Sequence, residues 1–401
     1  MNTNQKSLLS LKYCKRRSEI TTESNGEAPH IYNRLVKLVE NFKFPDEGKL
    51  EAFKEILKAS HRIICVGVGR SGGNAEVFTR FIRNLGFEQV YGPDDIPYVL
   101  KSEDVLIAFS GSGVTTYTLE TARIAHDANA KIVSLTSNVK SPLAELSDLV
   151  IEIPGKEILS YHLEDYYARQ LLGVQYAPLT PIGTLYELRA MLFSLSFAGS
   201  LIENNAYRWF KKLVEGLKGY IPSQRDFQSL YYSLPKPRSP LNPLTGKTVV
   251  VGEGFSGIVG SFFVTRLRHC CKPDEDRECY FWKDKGSISI GSRDMVLIIS
   301  GSGSHIPSLM AEKAKSKGAR VVSITSYVES PLALNSNSVI VIPGRIIYKI
   351  KGLRSSYLPK NPLESIFELR TLFFLESFIY LLAVKENVTE ADMLRRHSEF
   401  T

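Results

Sequence analysis

Cysteine is scarce in this 401-residue sequence, and the five that occur form no C-x-x-C pair. They are Cys14, Cys65, Cys270, Cys271 and Cys279. An odd number without paired spacing argues against a disulfide framework and gives a metal site little support. Reduced thiols in a cytoplasmic protein are therefore expected.

Long uninterrupted hydrophobic runs are also missing. The N-terminus has no apolar core of the kind that a secretory signal requires. The two most apolar stretches, 188–202 and 371–384, contain Arg189 and Glu376 and are too short to span a bilayer, so they are predicted to be buried helices. No membrane partner is expected.

Dense blocks of one charge are nearly absent, although the net charge is +8. The basic residues are dispersed, and the one compact group, at 12–17, is interpreted as a solvated tail rather than a nucleic-acid-binding arm. Basic pockets for sugar phosphates would give the same charge balance. Hydrophobic residues make up 43% of the chain, which is ordinary for a globular protein with a substantial core.

Two Ser/Gly loops stand out, each between an apolar strand-like run and a helical pattern. The first is 109–115 and the second is 299–305. Glycines let the backbone approach a ligand, and hydroxyls with helix N-terminal amides suit a phosphate. No Walker lysine follows, which excludes the nucleoside triphosphate signature. An ordinary helix cap explains one hydroxyl, but not Ser110, Ser112 and Thr115 together.

A glycine pattern, G-x-G-x-x-G, precedes each Ser/Gly loop, at 67–72 and 252–257. The pattern is typical of dinucleotide binding, but alone it is weak evidence and leaves the later Ser/Gly loops unexplained. The hydroxyls of Ser71 and Ser256 suit a phosphate better. For the second copy, a tight strand-to-helix turn without a ligand remains the simpler interpretation.

The motifs recur in order, which indicates a duplicated α/β domain. The stretch 66–72 matches 251–257, 133–137 matches 322–326, and 186–189 matches 367–370. Strands alternating with helices predict a parallel sheet covered on both faces. The predicted organisation is a flexible segment over 1–29, a first domain over 30–215, a Pro-rich linker over 216–246 and a second domain over 247–401. Two like domains in one chain are expected to pack as a pseudo-dimer, which leaves room for a further homodimer.

Three motifs carry a family resemblance: Gly-Arg-Ser-Gly at 69–72, Ser-Gly-Ser-Gly-x-Thr at 110–115 and Pro-Ile-Gly-Thr-Leu-Tyr-Glu at 181–187. The chain resembles the SIS (sugar isomerase) family, most closely its 6-phospho-3-hexuloisomerase branch. The resemblance implies two tandem flavodoxin-like domains, each a five-stranded parallel sheet. It also implies that the Ser/Thr loop binds a sugar phosphate, with a helix Glu as catalytic base and a His from across an interface.

The copies depart from the family pattern in complementary ways. Glu occupies the helix position in both, as Glu187 and Glu368, but the interface His is Asn84 in the first copy and His269 in the second. The loop position usually held by Glu is Val114 in the first copy. The resemblance therefore predicts one complete composite site in the first half and one degenerate site in the second. The residues assigned to the complete site are Glu187 and His269 for catalysis, Ser71, Ser110, Ser112 and Thr115 for phosphate, and Arg70, Thr136 and Ser137 as candidate substrate contacts. The residues assigned to the degenerate site are Ser256, Ser300, Ser302 and Glu368.

The expected chemistry is aldose–ketose isomerisation of a sugar phosphate through an enediol. A carboxylate in apolar surroundings can serve as the base, and no metal or organic cofactor is needed. Two alternatives stay open: a phosphosugar-binding regulatory protein without turnover, and an isomerase or deaminase of amino-sugar phosphates. Glu187 could also simply pair with a basic group, and His269 could be a core or solvated histidine.

Overall fold

A computed structural model describes residues 28–97, 99–155, 183–284, 288–346 and 361–398. Most of the predicted flexible segment lies outside these residues, as do residues 156–182. The described chain forms two five-stranded parallel sheets with surrounding helices, which confirms the predicted tandem α/β architecture. Within the described ranges, none of the helices combines the length and apolar character that crossing a membrane requires.

Both sheets have the same strand order. The strands of the first half are β1 (Arg62–Gly67), β2 (Val90–Tyr91), β3 (Asp104–Phe109), β4 (Lys131–Thr136) and β5 (Leu149–Glu152). Those of the second are β6 (Thr248–Gly252), β7 (Cys279–Phe281), β8 (Met295–Ile299), β9 (Arg320–Thr325) and β10 (Ser338–Val341). The orders are β2-β1-β3-β4-β5 and β7-β6-β8-β9-β10, and all pairings are parallel. This 2-1-3-4-5 order is the flavodoxin-like arrangement.

The helices also repeat between the halves. Those of the first half are α1 (Ala28–Glu40), α2 (Glu47–Ala59), α3 (Arg70–Asn84), α4 (Thr116–Asp127), α5 (Pro142–Glu145) and α6 (Thr184–Ser200). The remaining helices are α7 (Ala206–Lys218), α8 (Gln224–Ser233), α9 (Gly254–His269), α10 (His305–Ser316), α11 (Pro331–Leu334), α12 (Ile366–Glu386) and α13 (Glu390–Ser398). The short helices α5 and α11 start alike, with a Ser cap followed by Pro, so the repeat extends to local capping chemistry.

The central strands and the long helices are buried because their apolar residues are not confined to one face. Every residue of β3 and β8 is buried, as expected for parallel strands whose apolar runs are covered on both faces. The helices α6 and α12 are apolar around most of their circumference and lie in the shared interior. One continuous apolar core includes residues of both halves, and smaller clusters cover the opposite face of each sheet.

The strand order determines where a ligand can approach. In each sheet the chain turns from the first strand toward one edge and from the third strand toward the other. The loops after β1 and β3 therefore diverge at a crevice on the carboxyl edge, where ligands bind in open α/β sheets. These two loops carry Arg70 and Ser71 on one side and the 110–115 segment on the other.

Helices α3 and α9 join the halves and run in opposite directions. A methyl group at Gly73 would lie 2.2 Å from the Phe262 ring, so the helices are in close contact. The α9 N-terminus at Gly254 faces Arg80, late in α3, whereas Arg266 at its C-terminal end shares a partner with Arg70, which begins α3. The end of α9 is therefore brought to the start of α3.

The N-terminal helices are exchanged between the halves. Helix α1 packs chiefly on α12, and the Tyr32 and Phe373 rings lie 6.3 Å apart. Helix α7 packs chiefly on α6 of the first half. The range 216–246, predicted as a linker, instead contains the end of α7 and all of α8, whose Phe227 ring lies 4.7 Å from that of Phe374. Like α1 and α2 before the first sheet, α7 and α8 form a helical pair before the second.

Because of this exchange, neither half is expected to fold alone. Residues 28–204 expressed without the rest would expose the apolar faces of α1 and α6 that α12 and α7 cover. We expect this fragment to aggregate, and co-expression with 205–401 to restore a soluble complex. Size-exclusion chromatography and thermal unfolding measure the outcome. A soluble, cooperatively unfolding 28–204 monomer would contradict the prediction.

Candidate functional site

The loop after β3, residues 110–115, is held in a tight conformation and is called the Ser110 loop. The Ser110 hydroxyl accepts a hydrogen bond from the Gly113 amide at 3.1 Å and lies 3.1 Å from the Thr115 hydroxyl. Gly113 has a φ of +68°, and a methyl group there would come within 1.9 Å of the Ser141 hydroxyl. Only glycine fits this position without strain.

The Ser110 loop leads directly into α4. Thr115 is the N-cap residue of α4, but its side chain makes no hydrogen bond to the first-turn amides. The Ser112 hydroxyl accepts a long, 3.4 Å bond from the Val114 amide. Hydroxyls at the N-terminus of a twelve-residue helix form an arrangement suited to an anion. The structure therefore brings Ser110, Ser112 and Thr115 together as the sequence predicts.

A carboxylate cluster formed by Ser71, Asn74 and Glu187 lies between α3 and α6. The Ser71 hydroxyl donates to Glu187 Oε1 at 2.8 Å, and Asn74 Nδ2 donates to Glu187 Oε2 at 2.7 Å. Ser71 and Asn74 are three residues apart and so lie on one face of α3. Ser71, predicted to bind phosphate, is here committed to Glu187, since its single proton is already donated. Asn74 was missed, because its contact with Glu187 exists only once α6 packs beside α3.

The Ser110 loop and Glu187 are adjacent through Tyr186. A methyl group at Gly111 would lie 2.8 Å from the Tyr186 ring, and the Tyr186 hydroxyl donates to the Leu135 carbonyl at 2.7 Å. Burial, reinforced by the neighbouring Glu187 charge, raises the pKa of the Tyr186 phenol well above its ordinary value. The start of α6 is therefore fixed against the loop, with Glu187 as the next residue.

Arg70, predicted as a candidate substrate contact, is bound within the protein instead. Its Nη1 donates to the Thr184 hydroxyl at 2.9 Å and lies 3.5 Å from Glu376 Oε1 on α12. Arg266 approaches the other oxygen of Glu376 at 3.4 Å. All three charged side chains are buried, so this arginine cluster (Arg70, Arg266 and Glu376) links the halves at the base of the site. A buried carboxylate between two cations is a structural pairing that would be costly to break.

Thr136 and Ser137 support the loop rather than line an open surface. Thr136 is fully buried, and its hydroxyl accepts a bond from the Asn138 amide at 3.1 Å. The Ser137 hydroxyl donates to the Ile153 carbonyl at 2.7 Å, and its amide donates to the Gly111 carbonyl. Contact of Thr136 with substrate stays a prediction; in this structure the side chain is buried beneath the loop.

His269 lies at the end of α9, which the antiparallel packing brings to the start of α3. Its ring meets the His397 ring edge-on at 5.3 Å, and its Nδ1 is buried without a hydrogen-bond partner. Burial, followed by the charges of Arg266, His397, Arg70 and Arg268, lowers the pKa of His269 to about 3. The imidazole is therefore neutral at physiological pH.

The His269 environment predicts acid sensitivity of the fold. Below about pH 6.5 the unfolded chain binds a proton that the folded imidazole does not, so stability is lost as the pH falls toward 3. At pH 5 this corresponds to about 2 kcal/mol. His269→Gln should remove that part of the pH dependence, measured by urea unfolding at pH 5 and pH 7.5. If the free energy of unfolding falls equally between pH 7.5 and pH 5 in the wild type and in His269→Gln, the prediction is contradicted.

The second half assembles a different carboxylate cluster. Ser256 donates to Glu368 Oε1 at 3.1 Å, but Val259 occupies the position of Asn74 and offers no donor. The Arg345 guanidinium lies 3.4 Å from the same oxygen, and Glu368 Oε2 is buried without a partner. Burial raises the pKa of Glu368, which is 3% exposed.

The Arg345 side chain also packs against the loop of the second half, which contains Ser300 and Ser302. A methyl group at Gly301 would lie 3.0 Å from the Arg345 side chain. Ser304 is the N-cap residue of α10, but its side chain makes no capping hydrogen bond. His305 occupies the position of Thr115 in the first half. Ser256, Ser300, Ser302 and Glu368 therefore share one region, as predicted, but Arg345 was not foreseen there.

Comparison with known proteins finds relatives of the first half of the chain. The SIS domain family model matches residues 56–171, a range that contains the Ser110 loop. The 3-hexulose-6-phosphate isomerase of Methylomonas aminofaciens is 32% identical over 157 residues, which cover 38% of this chain and 80% of that protein. The corresponding enzyme of Bacillus subtilis (strain 168) is 29% identical over 176 residues, 44% of this chain and 82% of that protein.

A solved structure shows the same two-domain fold across nearly the whole chain. The C-terminal domain of glucosamine-fructose-6-phosphate aminotransferase from Francisella tularensis superimposes with a TM-score of 0.53 at 14% identity. The match covers 90% of this chain and 96% of that one. The Ser110 loop, the strand order and these similarities lead to one conclusion: the chain belongs to the SIS domain family.

Proposed function

We propose that this protein is a phosphosugar isomerase, similar to 6-phospho-3-hexuloisomerases, that interconverts an aldose and a ketose through an enediol. The supporting observation is the Glu187 carboxylate, held by Ser71 and Asn74 beside the Ser110 loop at the crevice of the first sheet. A general base needs this fixed orientation and a nearby binding site for the substrate's inert end.

Phosphate binding is assigned to Ser110, Ser112, Thr115 and the N-terminus of α4. Their hydroxyls and the helix amides supply donors without a fixed cation. Binding energy from this remote group positions the reacting carbons near Glu187, where much of the rate gain would arise.

The proton steps are assigned to Glu187 and His269. Glu187 takes the proton from the carbon next to the carbonyl, and the C–H electron pair forms the double bond of the enediol, first as its anion on the carbonyl oxygen. The neutral His269 relays the proton of the adjacent hydroxyl to that oxygen, so the adjacent oxygen carries the charge and becomes the new carbonyl. Return of the Glu187 proton to the former carbonyl carbon completes the isomerisation. The His269 role requires its ring to reach the first-half crevice, and the contact between α3 and α9 supports this.

The second half is proposed to be a degenerate site without turnover. Its Glu368 pairs with Arg345 and lacks a donor at Oε2, so the carboxylate is engaged by a cation and is not oriented by two neutral donors as Glu187 is. Asn84 stands where His269 stands in the other copy. All these differences affect the same reaction, which favours one active site for each chain.

A regulatory phosphosugar-binding protein is the second candidate function. Val114 replaces the loop glutamate that the family resemblance implies, and this favours binding without turnover. The remaining alternative, chemistry on amino-sugar phosphates, uses the same phosphate loop.

The test is a panel of hexose, hexulose, pentose and amino-sugar phosphates followed by NMR with the full chain. Conversion of a neutral phosphosugar by the wild type, lost in Glu187→Gln, supports the isomerase. Binding of panel members without conversion of any would establish the regulatory alternative instead.

A further inference from the structure

Asn74 is the feature that most sharply separates the two carboxylate clusters. It is fully buried, and its Nδ2 donates both to Glu187 Oε2 at 2.7 Å and to the Glu187 backbone carbonyl at 3.1 Å. Its Oδ1 is buried without a hydrogen-bond partner. A buried amide with one unsatisfied oxygen is costly, so its presence needs a reason beyond packing.

The second half shows that packing alone does not require an asparagine. Val259 occupies the equivalent position on α9 and is buried to nearly the same extent. The chain thus fills the same place with an apolar side chain of similar size. What changes is the carboxylate: Glu368 Oε2 has no partner there.

The backbone carbonyl of Glu187 fixes which way the Asn74 amide points. If the amide turned over, Oδ1 would face that carbonyl oxygen, and two acceptors would be opposed. Asn74 therefore presents a donor to Glu187 Oε2 and not an acceptor. A donor stabilises the ionised carboxylate more than the carboxylic acid, because a charged oxygen accepts the stronger hydrogen bond.

From this geometry we propose that Asn74 is a positioning residue that keeps Glu187 ionised and oriented as the base of the first-half site. It acts through Glu187 and not on the substrate. The inference deepens the proposed isomerase function and rests on it for its kinetic consequence, but the effect on the carboxylate itself can be measured without turnover.

Within the described ranges, the hydrogen bonds of the neighbouring arginines go to partners other than the Glu187 carboxylate. On α3, Arg70 is engaged with Thr184 and with Glu376 of α12. On α6, Arg189 donates to the backbone carbonyls of Pro154, Leu38 and Asn41. Of the described titratable groups, Tyr186 also lies close to Glu187, and its phenol is directed to the Leu135 carbonyl.

The kinetic test exchanges the residues of the two halves. Asn74→Val should lower kcat by about 10- to 100-fold with KM within about threefold, because the misplaced base affects the chemical step more than phosphate binding. The acid limb of the kcat/KM profile should move up by about one to two pH units. The matched control, Val259→Asn, should leave both unchanged. An unshifted profile for Asn74→Val would overturn the proposal, because lost packing alone would not move it.

The second readout needs no substrate. In protein labelled with ¹³C at the glutamate carboxyls, Glu187→Gln and Glu368→Gln identify the two signals by their loss. Asn74→Val should raise the titration midpoint of the Glu187 signal, and Val259→Asn should lower that of Glu368. If Asn74→Val does not fold, the Val259→Asn arm decides, and an unmoved Glu368 midpoint overturns the proposal. Absence of turnover in the wild type would refute the isomerase function while leaving this titration informative.

Discussion

Glu187→Gln is expected to lower kcat for the sugar phosphate by about 1,000-fold while KM changes by less than about threefold. Glutamine keeps the shape of the side chain, and its amide oxygen can accept the bond from Ser71, but its amide nitrogen cannot accept the bond that Asn74 donates in the wild type. It cannot take a proton from carbon. The phosphate contacts of the Ser110 loop are not touched, so binding is retained.

The matched control for this prediction is Glu368→Gln in the second half. Glu368 occupies the equivalent place and bonds to Ser256, but it lacks the second donor. We expect kcat to stay within about twofold of the wild type. Steady-state kinetics on both variants, with circular dichroism to verify folding, measure the contrast. Equal losses in the two variants would show that the halves are not functionally different.

His269→Asn is expected to lower kcat by about 100-fold, again with little change in KM. Asparagine is the residue that the first half carries at the equivalent position, Asn84, so the substitution is one that the repeat itself accommodates. The wild-type imidazole has ring nitrogens that can relay a hydroxyl proton between two oxygens. Asparagine has no such capacity.

His397→Asn separates catalysis from packing in this prediction. His397 contacts the His269 ring edge-on, so its loss perturbs the same corner of the protein without removing the proposed proton acceptor. We expect it to keep kcat within about threefold, measured in the same assay. A loss as large as that of His269→Asn would assign the effect to packing at the end of α9 and remove His269 from the site.

The fold was largely predictable because hydrophobic patterning determines it locally. The apolar runs at 105–109 and 295–299, which precede the two Ser/Gly loops, became the buried central strands β3 and β8. The helix α8 was missed because the prolines that follow it led to the prediction of a linker for the whole range 216–246. The exchange of α1 and α7 could not be predicted, because packing partners far apart in sequence leave no local periodicity.

The site was predictable where several hydroxyls cluster in one segment, as in the Ser110 loop. The site was not predictable where a side chain bonds to a residue that is far away in the sequence. Arg70 follows a glycine turn and was interpreted as a ligand contact, but Glu376, far along the chain, binds it. Asn74 and Arg345 were missed for the same reason, since each acquires its role only when two helices, or a loop and a helix, come together.

The most direct test of one enediol-forming site in the first half is solvent deuterium exchange. The full-length protein, Glu187→Gln and Glu368→Gln are each incubated with a bound sugar phosphate in D₂O, and the carbon-bound protons are followed by NMR. Wild type and Glu368→Gln should both incorporate deuterium at the carbon next to the carbonyl, and Glu187→Gln should not. Incorporation by Glu187→Gln at the wild-type rate, or its loss only in Glu368→Gln, would contradict the assignment of the base to the first half.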